Sequence, residues 1–121
     1  IQMGTRFVSS LESPVHENFK GAIVNGSEQG TYILNKKAKP CIRALKTELT
    51  DKIYEDGLMD MSALSGIKDL YFGGDMNAAP ALAGQSIGLI NEVLPVQQII
   101  KQTMQEFNSV CESLSNSKFE L

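Results

Sequence analysis

The chain has 121 residues, enough to bury one core, and its 42% hydrophobic content places it with folded globular chains and not with disordered ones. Eleven basic against 14 acidic residues leave a net charge of −3, with no concentration of Lys or Arg beyond Lys36-Lys37-Ala38-Lys39, which argues against a nucleic-acid partner and reads as a solvated loop before Pro40. No apolar run approaches the length of a membrane span, nothing resembles a signal peptide, and Cys41 and Cys111, far apart and without metal-ligand spacing, read as buried thiols of a reducing, cytoplasmic compartment.

Ile1-Gln2-Met3 reads as the end of a strand already in progress, so the chain is expected to begin inside a domain. Gly4-Thr5 follows. A glycine directly after a strand lets the backbone turn its N–H groups outward, and a threonine adds a hydroxyl, which together can hold a phosphate; the alternative is an ordinary strand-to-helix turn. Arg6 has two readings, neutralising that phosphate or pairing with Glu12 or Asp75. Ser13 as a cap and Pro14 at the first helical position predict a helix over 14–25, with Val15, Phe19, Ala22 and Ile23 on its apolar stripe and His16 in its first turn. Thr31-Tyr32-Ile33-Leu34 is β-branched and aromatic, hence a short strand.

Pro40 opens a predicted second helix over 40–55, carried by Ile42, Leu45, Leu49 and Ile53 at helical spacing. Leu64, Ile67 and Leu70 or Tyr71 suggest a shorter one, broken by Gly73-Gly74-Asp75. Ala78 to Ile90 is small and apolar, with Gly84 and Gly88 four apart, and reads as a helix packed closely on other backbone or on a cofactor. Pro95 starts a last helix over 95–114, with Val96, Ile99, Ile100, Thr103, Met104, Phe107, Cys111 and Leu114 on its buried side. Phe19, Leu45, Ile99 and Phe107 are expected to face apolar partners. Met59, Met61, Met76 and Met104 read as core filler. No Ser, His and Asp constellation argues for hydrolysis, and no metal site is expected.

Three blocks carry a family resemblance: Gln2-Met3-Gly4-Thr5-Arg6-Phe7, then Glu12-Ser13-Pro14-Val15-His16, then Ala83-Gly84-Gln85-Ser86-Ile87-Gly88-Leu89. In this order and at about this spacing they resemble the C-terminal third of the nitronate monooxygenase (2-nitropropane dioxygenase) family, which is related to the flavin-dependent enoyl-acyl-carrier-protein reductase. The resemblance implies an α/β fold, the C-terminal fragment of a (β/α)8 TIM barrel that is mostly helical in the part present. It implies residues 1–12 as the end of a late barrel strand and the FMN-phosphate loop, 13–94 as a segment of the small helical domain over the substrate cavity, and 95–121 as a helix returning to the barrel. Apolar side chains near Ile1 and along the last helix are then expected at the surface.

By the same resemblance Gln2, Met3, Gly4 and Thr5 receive the phosphate of FMN, and Gln85 approaches the flavin and a small-molecule substrate; for Gln85 the alternative is a close-packed helix contact. The catalytic histidine of the family lies upstream, so no catalytic residue is expected here, and His16 is expected to pack at its helix start or face solvent. The implied function is an FMN-dependent oxidoreductase that oxidises alkyl nitronates with oxygen, inactive as this piece alone. The alternatives are an enoyl-acyl-carrier-protein reductase using a nicotinamide cofactor, or, in another class, an autonomous small helical binding module that folds cooperatively by itself.

Overall fold

The computed structural model describes residues 1–117. A four-residue helix α1 (Thr5–Val8) precedes α2 (Glu17–Val24), followed by the strands β1 (Thr31–Leu34) and β2 (Ile42–Leu45). Then come α3 (Glu48–Asp56), a 3-10 turn Met61–Leu64, α4 (Ile67–Tyr71), a second 3-10 turn Gln85–Leu89, and α5 (Val96–Asn116). The strand end expected at Ile1–Met3 is not formed. Ladder hydrogen bonds have to come from a neighbouring strand, and among the described residues none lies beside it; Ile1 is fully exposed. Residues 118–121 of the last expected segment lie outside the described residues.

Strands β1 and β2 pair antiparallel, with Thr31 opposite Leu45 and Leu34 opposite Ile42. Their connection turns on Asn35, which sits at a left-handed φ of 59° that asparagine tolerates. Its buried amide closes the loop, donating to the Pro40 carbonyl at 3.0 Å and accepting from the Met59 N–H at 3.1 Å. The helix expected over 40–55 is therefore a strand followed by a helix. The break lies at Thr47, whose hydroxyl accepts from the Thr50 N–H at 3.2 Å while the Thr50 hydroxyl accepts from the Thr47 N–H at 2.7 Å, a reciprocal cap that starts α3.

The helix expected over 78–90 also fails in its first half. Pro80 has no N–H to give a helix interior, and Ala81–Ala83 runs extended along the free edge of β2. There the Leu45 N–H donates to Ala81 O at 2.8 Å and the Ala83 N–H to Arg43 O at 3.3 Å. Only Gln85–Leu89 coils, as 3-10.

One core cluster gathers Phe19, Ile23, Leu45, Leu70, Ala79, Ala81, Ala83, Ile87 and Ile90, and a second gathers Leu34, Ala44, Ile53 and Met59. Phe19 meets Tyr71 edge-to-face at 5.1 Å, and the same burial pushes the Tyr71 phenol above its ordinary range. Phe19, Leu45 and Ile99 are buried as expected, but Phe107 is 55% exposed. It shares the open face of α5 with Ile100, Met104, Val110 and Leu114. Met61 and Met104 are exposed rather than core filler, and Cys41 and Cys111 are both free and exposed rather than buried. Among the described residues no helix is long and apolar enough to cross a membrane.

Candidate functional site

Helix α1 is too short to be stable by itself, and the hydrogen bonds around it explain why it persists. Val8 N–H donates to Gly4 O at 3.1 Å, while the buried Ser9 and Ser10 hydroxyls donate back to Arg6 O at 3.0 Å and Phe7 O at 2.8 Å, satisfying carbonyls that a helix end leaves open. Three long-range bonds then fix it against residues 84–94. The Gly84 N–H donates to the Thr5 hydroxyl at 2.8 Å, Arg6 Nη1 donates to Glu92 O at 2.7 Å, and the Leu11 N–H donates to Leu94 O at 3.0 Å.

Arg6 thus meets neither of the carboxylates proposed for it. Glu12 instead accepts from the Val96 N–H with both oxygens, at 2.9 and 3.1 Å, and so caps the N-terminus of α5, where a negative charge is favoured by the helix dipole. Asp75 accepts from the Asn77 N–H at 2.9 Å in a local turn.

Between these elements opens a cavity of about 820 Å³, within the range of about 300–1,000 Å³ usual for small-molecule sites. Gln2, Met3, Gly4 and Thr5, the four residues singled out from the sequence, all line it. Gly84 and Ser86 form an adjoining part of the wall and α5 contributes Ile99, Gln102 and Glu106. Gln85 is exposed at the start of its 3-10 turn and is not among the lining residues; its neighbours on both sides are. Ser86, which the sequence reading includes in its third block without a role of its own, places a second hydroxyl on this wall two residues after Gly84. Arg6 is the one cation among the described lining residues, which also include the acids Glu92 and Glu106, so Arg6 is the group of this wall that favours an anion.

Two features of this wall suit a phosphate. Gly4 has an ordinary right-handed helical conformation (φ −96°, ψ −68°), and a Cβ built there would meet nothing within 4 Å. Neither backbone nor packing requires a glycine at this position; what its absence of a side chain provides is open space on the cavity side. Thr5 supplies the second feature. A hydroxyl has one proton and two lone pairs, and because the Gly84 N–H already occupies a lone pair, the proton is left for an acceptor other than Gly84.

His16 lies elsewhere. It is the N-cap of α2, its Nδ1 accepting from the Asn18 N–H at 3.1 Å, so the cap stands three residues later than the Ser13 of the sequence reading. Ser13 Oγ accepts from the Val15 N–H at 3.4 Å instead. The imidazole packs on Gly74, whose φ of +76° favours glycine and whose Cβ position is filled by the ring. The Asn18 amide donates to Gly74 O at 2.9 Å, completing the contact. The ring therefore packs at the helix start, one of the two expectations for it, and does so as the cap and not from within the first turn.

Comparison with known proteins sets this geometry in context. A family model described as nitronate monooxygenase matches residues 1–106. Among solved structures, FabK from Thermotoga maritima superposes with a TM-score of 0.86 at 35% sequence identity, covering 94% of this chain and 38% of that one. A point mutant of the same Thermotoga maritima protein gives a TM-score of 0.81 at 36% identity, with 94% of this chain and 36% of that chain covered. The chain therefore spans little more than a third of the length of the structures it matches.

Proposed function

The chain belongs to the nitronate monooxygenase family, and on that premise we propose that it forms part of an FMN-dependent enzyme oxidising alkyl nitronates with oxygen. The family comprises flavin-dependent oxidoreductases on a (β/α)8 barrel, and this mostly helical chain corresponds to a part of that fold. The observation that carries the reading is the joining of Gln2–Thr5 to Gly84 and Ser86 around one cavity, through the Thr5–Gly84 hydrogen bond.

Bound flavin supplies the electron transfer in such an enzyme. The residues of this chain bind and orient it. Gly4 leaves room for the phosphate to approach backbone, Thr5 donates its hydroxyl proton, Arg6 adds positive charge from the wall, and Leu89, Ile90 and Ile99 give the cavity an apolar side. Gln85, exposed next to that wall, is assigned to the substrate side by the family resemblance alone. The base that removes a proton α to the nitro group comes from outside this chain, since His16 is engaged as a helix cap. Residues 1–12 act as the phosphate loop, 13–94 as the segment roofing the substrate cavity, and 95–121 as the segment whose helix α5 packs on the barrel. The exposed stripe Ile100, Met104, Phe107 and Leu114 supports that packing. Two free thiols, Cys41 and Cys111, support a reducing compartment, the cytoplasm.

A second reading, a flavin-dependent enoyl-acyl-carrier-protein reductase taking hydride from a nicotinamide cofactor, is favoured by one observation: the structures quoted above are FabK. The family match over 1–106 argues against an autonomous binding module with a fortuitous resemblance. Oxygen consumption by the full-length protein with a nitronate, set against NADH oxidation with a crotonyl thioester, separates the two enzymes. Turnover of the nitronate supports the first. Turnover of the thioester alone overturns it.

A further inference from the structure

We infer that Ser86 is a second hydroxyl ligand of the flavin phosphate, acting with Thr5 across Gly84; the inference rests on the flavin reading above. A Cβ at Gly84 would lie 3.4 Å from the Thr5 hydroxyl and 3.7 Å from the Ser86 hydroxyl, so both oxygens flank the same bare position on the cavity wall. The Thr5 oxygen is held there by the Gly84 N–H at 2.8 Å, with its proton left over. Ser86 is exposed on the second residue of the 3-10 turn. Gly84 itself has φ −84° and ψ 170°, an extended conformation open to any residue, so its lack of a side chain serves the space between the two hydroxyls rather than the backbone.

A phosphomonoester dianion offers several acceptor oxygens at one centre, and two hydroxyl donors on adjacent segments are suited to different oxygens of it. A neutral ligand of the same size would gain little from the pair. The site is therefore selective for the phosphorylated flavin over the dephosphorylated one, and Ser86 contributes to that selectivity while making no contact with the ring system.

Titration of the full-length apoprotein with FMN and with riboflavin, in wild type, Ser86→Ala, Thr5→Ser and Thr5→Val, tests this. Ser86→Ala is expected to weaken FMN about tenfold to a hundredfold while leaving riboflavin affinity unchanged, the loss of one hydrogen bond to a charged group. Thr5→Ser keeps the hydroxyl and is expected to keep the preference, and Thr5→Val to lose it. Thermal unfolding of each apoprotein guards against a folding defect. An FMN-to-riboflavin affinity ratio in folded Ser86→Ala equal to that of wild type, whether both affinities fall together or neither falls, overturns the inference while leaving the flavin reading standing. A folded wild-type protein that binds neither flavin overturns both.

Discussion

Substituting Gly4 by valine separates what the fold needs from what a ligand needs. In the protein itself the change is nearly free. The backbone at Gly4 is in the right-handed helical region and a Cβ would find no atom within 4 Å. Two small terms act: restricting the unfolded chain stabilises by about 0.4–1 kcal/mol, and a β-branched residue at a helix cap loses a similar amount relative to glycine. They offset, so apoprotein stability should change by less than about 1 kcal/mol. Against a phosphate the same side chain occupies the space where the anion must approach backbone N–H groups. Losing even one charge-assisted hydrogen bond costs about 1.5–3 kcal/mol, which is about tenfold to a hundredfold in FMN affinity. Flavin fluorescence titration of the full-length apoprotein, paired with its thermal unfolding, reads both quantities. Undiminished FMN affinity in a stable Gly4→Val protein would remove Gln2–Thr5 from the cofactor site.

The cap role of His16 predicts that His16→Ala costs about 1 kcal/mol of stability with flavin content and turnover nearly intact, and that His16→Asn recovers much of the loss; a collapse of turnover with flavin retained would place the chemistry on this ring. Phe107→Ala in the full-length protein should destabilise by about 3–5 kcal/mol if α5 packs on the barrel, whereas a change within about 0.5 kcal/mol would show that the face stays open as in this chain. Asp60 accepts from the Ser62 N–H at 2.8 Å, and this bond, with a further one from the Ser62 side chain, holds its carboxyl below the ordinary aspartate range. Its contribution is therefore present above about pH 4 and lost as pH falls through the depressed value. Thermal melts of wild type and Asp60→Ala should converge on acidification, and a gap that persists in acid would rule out the charged cap.

The helices at 14–25 and 95–114 were legible because one periodicity there serves one element. The segment 40–55 misled because the spacing of Ile42, Leu45, Leu49 and Ile53 is helical, yet its residues serve different structures: Leu45 ends a strand in the first core cluster, and Ile53 sits on a helix in the second. The corrective signal was local. Thr47 and Thr50 stand three apart before Asp51, a helix start in mid-segment, and a helix cannot begin where one is already running. For 78–90 the signal was Pro80, which forbids a helix interior; Pro80 is itself buried, so burial alternates only across Ala81, exposed Leu82 and Ala83. Small side chains hid that alternation, because alanine favours helix and glycine favours none.

The site divides along a similar line. Gly4-Thr5 is visible in one dimension, since a glycine and a hydroxyl side by side are a local chemical statement. What the hydroxyl does is not local. Its orientation is set by the N–H of a residue 79 positions away, and no spacing rule links residues that meet only once the β2 edge has captured Ala81–Ala83. That capture delivers Gly84 to Thr5 and turns Ser86 into the same cavity. The extended course of Ala81–Ala83 and the placement of Ser86 on the cavity wall are thus one structural feature. A helix through 78–90 would turn residue 86 by about 200° from residue 84 at 100° per residue, onto nearly opposite faces. The extended approach followed by a 3-10 turn instead leaves both on one wall. A cofactor grip built from 4, 5, 84 and 86 therefore depends on the strand-like pairing of Ala81–Ala83, residues that are also part of the first core cluster.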